Sequence, residues 1–185
     1  MHILMLRRRR RLGVALLTLG LFTEALPGAQ PPSSGPDPLV QEDAAVKVSD
    51  HVFVIFDESV RFVPNVGIIV GDTATLVVDT GLGPRNGQTI VREAAKVSRN
   101  TDLYVVSTHF HPEHAGGEMA FPAGTTIVRA RAQQGDIDEL GQDFVERFST
   151  FTPVTKELLQ GVVFPPADIL FDQDHTLDLG GCGCA

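Results

Sequence analysis

The chain has 185 residues, of which 43% are hydrophobic and 21% are charged, and its formal charge is −8 at pH 7. These values are typical of one globular domain of ordinary size. The acidic excess disfavours binding to a nucleic-acid backbone, which requires clustered cations, so no nucleic-acid partner is predicted. The 18 glycines and 12 prolines favour a loop-rich α/β chain over a helical bundle. Two cysteines, Cys182 and Cys184, do not provide a disulfide framework.

Residues 1–29 have the three parts of an export signal. A basic block at 7–11 is followed by an apolar run at 12–22 and by small, turn-forming residues up to Ala29. The apolar run is well below the roughly 20 residues that span a bilayer, so a cleaved signal is favoured over an uncleaved anchor. A buried N-terminal helix is the third alternative, and five consecutive arginines argue against it. We predict a periplasmic or secreted protein, which is membrane-anchored if the signal is retained.

Cleavage after Ala29 would remove five arginines and Glu24, which changes the formal charge from −8 to −12. Residues 30–45, which include the sequence PPSSGPDP, are predicted to form a flexible linker before a domain at 46–185. The Gly71-Asp72 pair predicts a tight turn between strands. The first strands are predicted at residues 52–57, 62–70 and 74–79, and the third of them is apolar throughout, as in a sheet covered on both faces.

A βαβ unit is predicted next. Ile90, Ala94 and Val97 recur at helical spacing in a helix that begins near Arg85 and ends at Asn100. The apolar segment at 103–107 is the following strand, and strands joined by such a crossover are parallel. The remaining predicted elements are a strand at 125–128, a partly helical stretch at 133–149, and short strands at 167–171 and 175–179.

The segment THFHPEHAGG at residues 108–117 follows the strand at 103–107 and holds half of the six histidines of the chain. His109 and His111 point to the same side of an extended segment, and the turn at Pro112 brings Glu113 and His114 round as a second pair. Three imidazoles and a carboxylate within six residues suit a borderline metal such as zinc. The alternative is a solvated polar loop that happens to be rich in histidine.

Asp79 ends the partner strand of the βαβ unit. Because parallel strands end at the same edge of a sheet, we expect Asp79 to lie near the histidines. Ser59 and Ser107 are interpreted as ordinary turn and strand residues, since a metal-activated water needs no side-chain nucleophile. His175 is interpreted as an exposed turn residue.

The histidine segment resembles the H-x-H-x-D-H motif of the metallo-β-lactamase superfamily. The sequence NVGIIV at 65–70, followed by LVVDTG at 76–81, resembles the opening strands of that family and its Asp-Thr-Gly turn. The resemblance covers roughly residues 46–181 and implies an αββα sandwich with two mixed sheets face to face and helices outside. It also implies that only the N-terminal half to two-thirds of this fold is present, because DLGG at 178–181 resembles the strand that precedes the third metal histidine of the family.

The resemblance implies a role for each site residue. His109 and His111 would be ligands of a first zinc ion, and His114 would be a ligand of a second. Glu113 stands where the family has aspartate, and it would bind the second metal or orient the attacking water. Asp79 would hold the tautomer of a histidine through its distal N–H. The implied cofactor is one or two zinc ions, with no organic cofactor.

The function that follows from the resemblance is an exported zinc-dependent hydrolase. It would use a metal-activated water on a small-molecule substrate of the ester, thioester or lactam type. Two alternatives stay open: a truncated, catalytically inactive metal-binding remnant, and a periplasmic accessory protein that binds metal through the histidine loop alone. The sequence does not indicate an oligomeric state.

Overall fold

Seven strands form one mixed sheet in the computed structural model, which describes residues 35–181 and 183–184. The order in the sheet follows the chain, with antiparallel pairs from β1 to β4 and parallel pairs from β4 to β7. The strands are β1 (Val46–Lys47), β2 (Val52–Ile55), β3 (Val66–Val70), β4 (Ala74–Val78), β5 (Asp102–Val106), β6 (Thr126–Ala130) and β7 (Ile169–Phe171). A separate two-stranded ladder pairs β8 (Leu177–Asp178) with β9 (Gly183–Cys184). The predicted mixed α/β fold and its parallel β4–β5 pair are confirmed.

The helices lie in the connections between the parallel strands. Helix α1 (Gly83–Val97) joins β4 to β5, and α2 (Pro112–Ala115) with a 3₁₀ turn (Glu118–Ala120) lies between β5 and β6. Between β6 and β7 the chain forms α3 (Arg131–Asp136), a π-helical turn (Ile137–Gly141), α4 (Gln142–Ser149) and α5 (Pro153–Leu158). Within the described residues, no helix is long and apolar enough to cross a membrane.

Several boundaries differ from the prediction by a few residues, and two of the differences have a clear physical reason. Helix α1 begins at Gly83 because Pro84 occupies its first turn, where a missing N–H costs nothing. The strand predicted at 62–70 is shorter, since β3 begins only at Val66. Phe62 has a left-handed backbone (φ 66°), which is incompatible with a strand, and its side chain packs against a cluster around Phe148.

The core lies on both faces of the sheet. Val66, Ile68 and Val77 alternate along β3 and β4 toward α1, where Ile90 and Ala94 cover them. On the opposite face, the cluster contains Ala74, Leu76, Val128, Leu177 and Leu179. Burial of β4 from Ala74 to Val77 confirms the prediction that this strand is covered on both sides. The sandwich implied by the resemblance has two large sheets. The described part of the chain forms one large sheet and, separately from it, the two-stranded β8–β9 ladder.

The second half of the predicted linker packs against α1. Pro38 and Val40 are buried, and Asn86 accepts a bond from the Val40 N–H and donates one to the Pro38 carbonyl oxygen, both at 2.9 Å. Glu93 accepts a bond from the Asp43 N–H at 2.8 Å. Residues 38–43, which belong to the predicted linker of 30–45, are therefore bonded to α1. The signal predicted at 1–29 and linker residues 30–34 lie outside the described residues.

Leu82 and Leu170 form a matched pair for testing the core. Leu82 is completely buried beside Phe148 and Leu158, whereas Leu170 is 37% exposed. We expect Leu82→Ala to lower the free energy of unfolding by about 2–5 kcal/mol, because it leaves a cavity. Leu170→Ala should stay within about 0.5 kcal/mol of the parent. Equilibrium urea unfolding followed by circular dichroism measures both, and equal losses would contradict this description of the core.

Candidate metal centre

The histidine loop, defined as residues 108–117, begins where β5 ends and turns into the short helix α2. Pro112 opens α2, with His111 in an extended conformation as the residue before it (φ −62°, ψ 146°). The N–H groups of His114 and Ala115 both donate to the His111 carbonyl oxygen, at 2.9 and 3.0 Å. The chain therefore turns sharply after His111, as the proline predicts, and returns His114 toward His109.

Three imidazole rings come together in this loop. The ring centroid of His109 lies 4.7 Å from that of His111 and 4.0 Å from that of His114. The Glu113 side chain joins them, with its Oε1 atom 3.9 Å from His111 Nδ1. The structure thus brings the four predicted ligands into one cluster. Within the described residues, however, no group of three or more His, Cys, Asp or Glu side chains is placed to hold a metal ion, so the ligand roles stay predictions.

The donor set nevertheless has the chemistry of a cation site. Burial, followed by the neighbouring His114, lowers the pKa of both His109 and His111 below the ordinary value of 6.5. Glu113 Oε2 is buried and has no hydrogen-bond partner among the described residues. An unpaired buried carboxylate oxygen is unfavourable, and a bound cation is one of the few groups that satisfy it. Neutral imidazoles beside such an oxygen fit zinc.

Asp79 lies at the same rim, bonded to the histidine loop. Its Oδ1 atom accepts bonds from the Thr108 N–H at 2.7 Å and from the Thr108 hydroxyl at 3.0 Å. Its Oδ2 atom lies 3.0 Å from His114 Nδ1. A proton on His114 Nδ1 donates to this carboxylate and leaves Nε2 free as an acceptor or ligand. The structure therefore places Asp79 on His114, and not on His109 or His111.

The backbone of the loop packs tightly on the turn that follows Asp79. The His114 carbonyl oxygen accepts bonds from the Thr80 N–H at 2.7 Å and from the Thr80 hydroxyl at 2.8 Å. Gly117 lies so close that a Cβ atom there would be 2.0 Å from the Thr80 carbonyl oxygen. Only glycine fits at this position, which explains why the pair Gly116-Gly117 follows the histidines.

Two parts of the site were not predicted from the sequence. One is an aromatic wall, in which Phe144 of α4 stacks on His111 with a centroid distance of 4.7 Å and Phe110 contacts both rings at 5.0 Å. The other is a buried network in which Ser107 donates to Glu118 Oε1 at 2.7 Å and Arg129 pairs with Glu118 Oε2. Ser107, which was interpreted from the sequence as an ordinary strand residue, therefore belongs to a buried hydrogen-bond network.

Glu118 and Arg129 are each 1% exposed in their side chains. Burial raises the pKa of Glu118, and the Arg129 guanidinium and the Ser107 hydroxyl act against that rise. His175, in contrast, is exposed and stacks only on Phe171, at 6.0 Å. Ser59 lies in a turn with a left-handed backbone (φ 59°) away from any strand.

Sequence comparison identifies the class of protein that this fold and site define. The family described as the metallo-beta-lactamase superfamily matches residues 60–183. The chain belongs to this superfamily, as the H-x-H-x-E-H segment and the Asp-Thr-Gly turn predicted. Superfamily membership supports a metal-dependent hydrolase. No curated protein matches the sequence.

Solved structures of this superfamily share the fold at low sequence identity. The FEZ-1 metallo-beta-lactamase from Legionella gormanii is 15% identical (TM-score 0.55), and the match covers 80% of this chain and 53% of that one. The class B3 di-zinc metallo-beta-lactamase LRA-12 from an Alaskan soil metagenome is 16% identical (TM-score 0.54; 83% and 54% covered). A metallo-beta-lactamase from Cronobacter sakazakii with a HARLDQ motif is 16% identical (TM-score 0.54; 78% and 52% covered). The chain spans about half the length of these three proteins.

Two replacements of Asp79 test how its left-handed backbone and its hydrogen bonds each affect stability. Asp79 has a left-handed backbone (φ 66°) that asparagine adopts readily and alanine does not. We expect Asp79→Ala to lower the free energy of unfolding by roughly 1–3 kcal/mol more than Asp79→Asn, because alanine adds strain and also leaves the Thr108 N–H without its acceptor. Urea unfolding in the presence of a chelator measures this difference.

Asp43 provides the control, since it also has a left-handed backbone (φ 57°) but an 85% exposed side chain. The difference between alanine and asparagine at Asp43 measures mainly the backbone strain. An equal difference at Asp79 and Asp43 would show that the bonds of Asp79 to the histidine loop contribute nothing to stability.

The lowered pKa values of His109 and His111 predict a pH dependence of stability in metal-free protein. The unfolded chain takes up protons near pH 6.5, whereas the folded rings do so only at lower pH. The two histidines therefore contribute fully to the free energy of unfolding above about pH 6.5. This contribution is lost as the pH falls through the pKa values of the two rings in the folded chain. Urea unfolding between pH 7.5 and about pH 5 should show a decline that is smaller in His109→Asn/His111→Asn. An unchanged slope in the double variant would refute this prediction.

Proposed function

We propose that the chain forms the metal-binding part of an exported, zinc-dependent hydrolase that acts on an ester, thioester or lactam-type small molecule. The convergence of His109, His111, His114 and Glu113 at the end of β5, in a member of the metallo-beta-lactamase superfamily, carries this proposal. The export signal at residues 1–29 supports a periplasmic or secreted location.

The choice of zinc follows from the donor atoms. Imidazole nitrogen with carboxylate oxygen suits zinc better than the all-oxygen sites of magnesium or calcium. Because burial lowers the pKa of His109 and of His111, protons compete less for these rings at neutral pH. One of the proteins that share the fold, LRA-12, is a di-zinc enzyme, which supports one or two ions here.

The chemistry divides among the residues of the loop. Zinc would be held by His109 and His111, with His114 as a ligand of a second ion, and it would supply a nucleophile from water near neutral pH and polarise the substrate oxygen. Glu113 would orient that water and accept its proton, since its carboxylate lies among the rings. Asp79, whose Oδ2 atom lies 3.0 Å from His114 Nδ1, would hold a proton on that nitrogen and so leave Nε2 available to a cation. The aromatic wall of Phe110 and Phe144 limits the movement of the His111 ring and keeps water from one of its faces.

Metal content of the purified chain tests the proposal. We expect about one or two zinc ions per chain after equilibration with zinc, measured by mass spectrometry of the metal, and their loss in His109→Ala/His111→Ala. The control is His51→Ala/His175→Ala, which removes two histidines outside the loop and should retain the metal. A parent chain that binds no zinc would overturn the proposal.

Hydrolysis of chromogenic lactam, thioester and lactone substrates then separates catalysis from binding. Metal-dependent turnover that falls about 10²–10⁴-fold in Glu113→Gln would support the catalytic role of Glu113. Zinc binding without turnover of any of these classes would favour the accessory metal-binding alternative.

A further inference from the structure

A buried polar network joins the two ends of the histidine loop. Ser107 directly precedes the loop and Glu118 directly follows it, and the Ser107 hydroxyl donates to Glu118 Oε1 at 2.7 Å. Arg129 of β6 pairs with Glu118 Oε2, and both side chains are 1% exposed. We propose that this Ser107–Glu118–Arg129 network is a positioning device, which closes the loop at its base and holds the histidines ready for a metal ion. This inference rests on the proposed function, because it assumes that the histidines are metal ligands.

The network is anchored to elements outside the loop. Arg129 also donates to Gln134 Oε1 of α3 at 2.5 Å and to the Pro165 carbonyl oxygen at 3.2 Å. The neighbouring Gln133 of α3 donates to the Ser107 carbonyl oxygen at 3.2 Å. The base of the loop is therefore fixed to β6, to α3 and to the chain that leads into β7. Each of these belongs to the sheet or to its crossover, so a shift of the loop base would break the buried contacts of Glu118 with Ser107 and Arg129.

A buried ion pair is a costly way to fill a core. Removing a carboxylate and a guanidinium from water is unfavourable, and apolar residues of similar volume often serve stability equally well. The pair does provide a fixed geometry at the point where the loop starts and ends. Besides the bond between Ser107 and Glu118, the ten loop residues are held by their own turn, by Asp79 and by Thr80, and none of these contacts joins the two ends of the loop. Holding ligands in place before binding increases affinity, because less motion is lost when the metal binds.

The experiment compares two disruptions with a matched control in the full chain. Ser107→Ala removes the bond that closes the loop. Glu118→Leu/Arg129→Met removes both charges together, so that neither is left buried without its partner. Ser98→Ala is the control, because the Ser98 hydroxyl makes a similar 2.7 Å bond to the Thr75 hydroxyl. That bond lies at the start of β4, the opposite end of the strand from Asp79 and the histidine loop.

Two readouts are required, and neither is enzymatic activity. The first is hydrogen exchange, by mass spectrometry, of peptides that cover residues 108–117 in metal-free protein. The second is the dissociation constant and visible absorption spectrum of bound Co²⁺, used as a probe of the histidine site. In both disruptions we expect faster exchange confined to the loop, a Co²⁺ dissociation constant raised about 10–100-fold, and an altered spectrum. Ser98→Ala should match the parent in both readouts.

The outcomes distinguish this inference from the proposed function. If the parent binds no Co²⁺, the proposed metal site fails, and the exchange data alone decide the network: faster loop exchange supports it and unchanged exchange overturns it. If the parent binds Co²⁺ and both disruptions keep its affinity, spectrum and loop exchange, the network is not a positioning device. A lower thermal midpoint with unchanged loop exchange and unchanged affinity shows a purely structural role and also overturns it.

Discussion

Parallel pairing of β4 with β5 determines where the site residues meet. The register pairs Val78 with Val106, and the Asp79 N–H extends the ladder by donating to the Val106 carbonyl oxygen at 2.9 Å. The chain leaves both strands at the same edge of the sheet, so Asp79 and Thr108 become neighbours although 29 positions separate them. The contacts between the histidine loop and the turn after β4 depend on this arrangement, including the bonds to Thr80 and the hydrogen-bond distance between His114 and the Asp79 carboxylate.

Main-chain geometry at Asp79 and Gly117 determines how the histidine loop lies against the turn after β4. The left-handed backbone of Asp79 turns the chain abruptly out of β4 and presents its carboxylate to the loop. A left-handed conformation at a residue other than glycine is unfavourable by about 1 kcal/mol or more, and several hydrogen bonds to Asp79 offset it. Gly117 then allows the loop to approach Thr80 at backbone contact distance. Strain and close approach concentrated at one rim are typical of a functional site.

The sequence predicted the parts of this site that depend on local patterns. The apolar runs that became β4 and β5, and the helical spacing that became α1, identify a βαβ unit, and the parallel rule then places Asp79 beside the histidines. Packing between distant segments left weaker signals. Asn86 fixes residues 38–40 from 46 or more positions away, and nothing in its local sequence indicates this. Phe144 meets His111 only because the crossover between β6 and β7 folds back over the loop.

Among the site residues that were not predicted from the sequence, Arg129 is the one that the sequence could have indicated. It follows the apolar residues Ile127 and Val128 in strand β6, where a charge has to be exposed or paired, and Glu118 lies eleven positions earlier, directly after the paired glycines. The sequence could have predicted a buried partner for Arg129, but it could not have identified Glu118 over the other acidic residues. That choice depends on the 3₁₀ turn after Gly117, in which the Glu118 side chain is buried and pairs with Arg129.

Glu113 stands where the family motif has aspartate. This glutamate links metal binding to the stability of the folded chain. The additional methylene lets the carboxylate reach back toward His111, with Oε1 at 3.9 Å from Nδ1, while Oε2 is buried without a hydrogen-bond partner among the described residues. An unpaired buried oxygen costs about 1–3 kcal/mol. A cation bound beside it would remove that cost as well as contribute its own ligand bonds. Binding and folding are then linked, since any ion that prefers the folded loop stabilises it in proportion to the logarithm of its concentration over its dissociation constant.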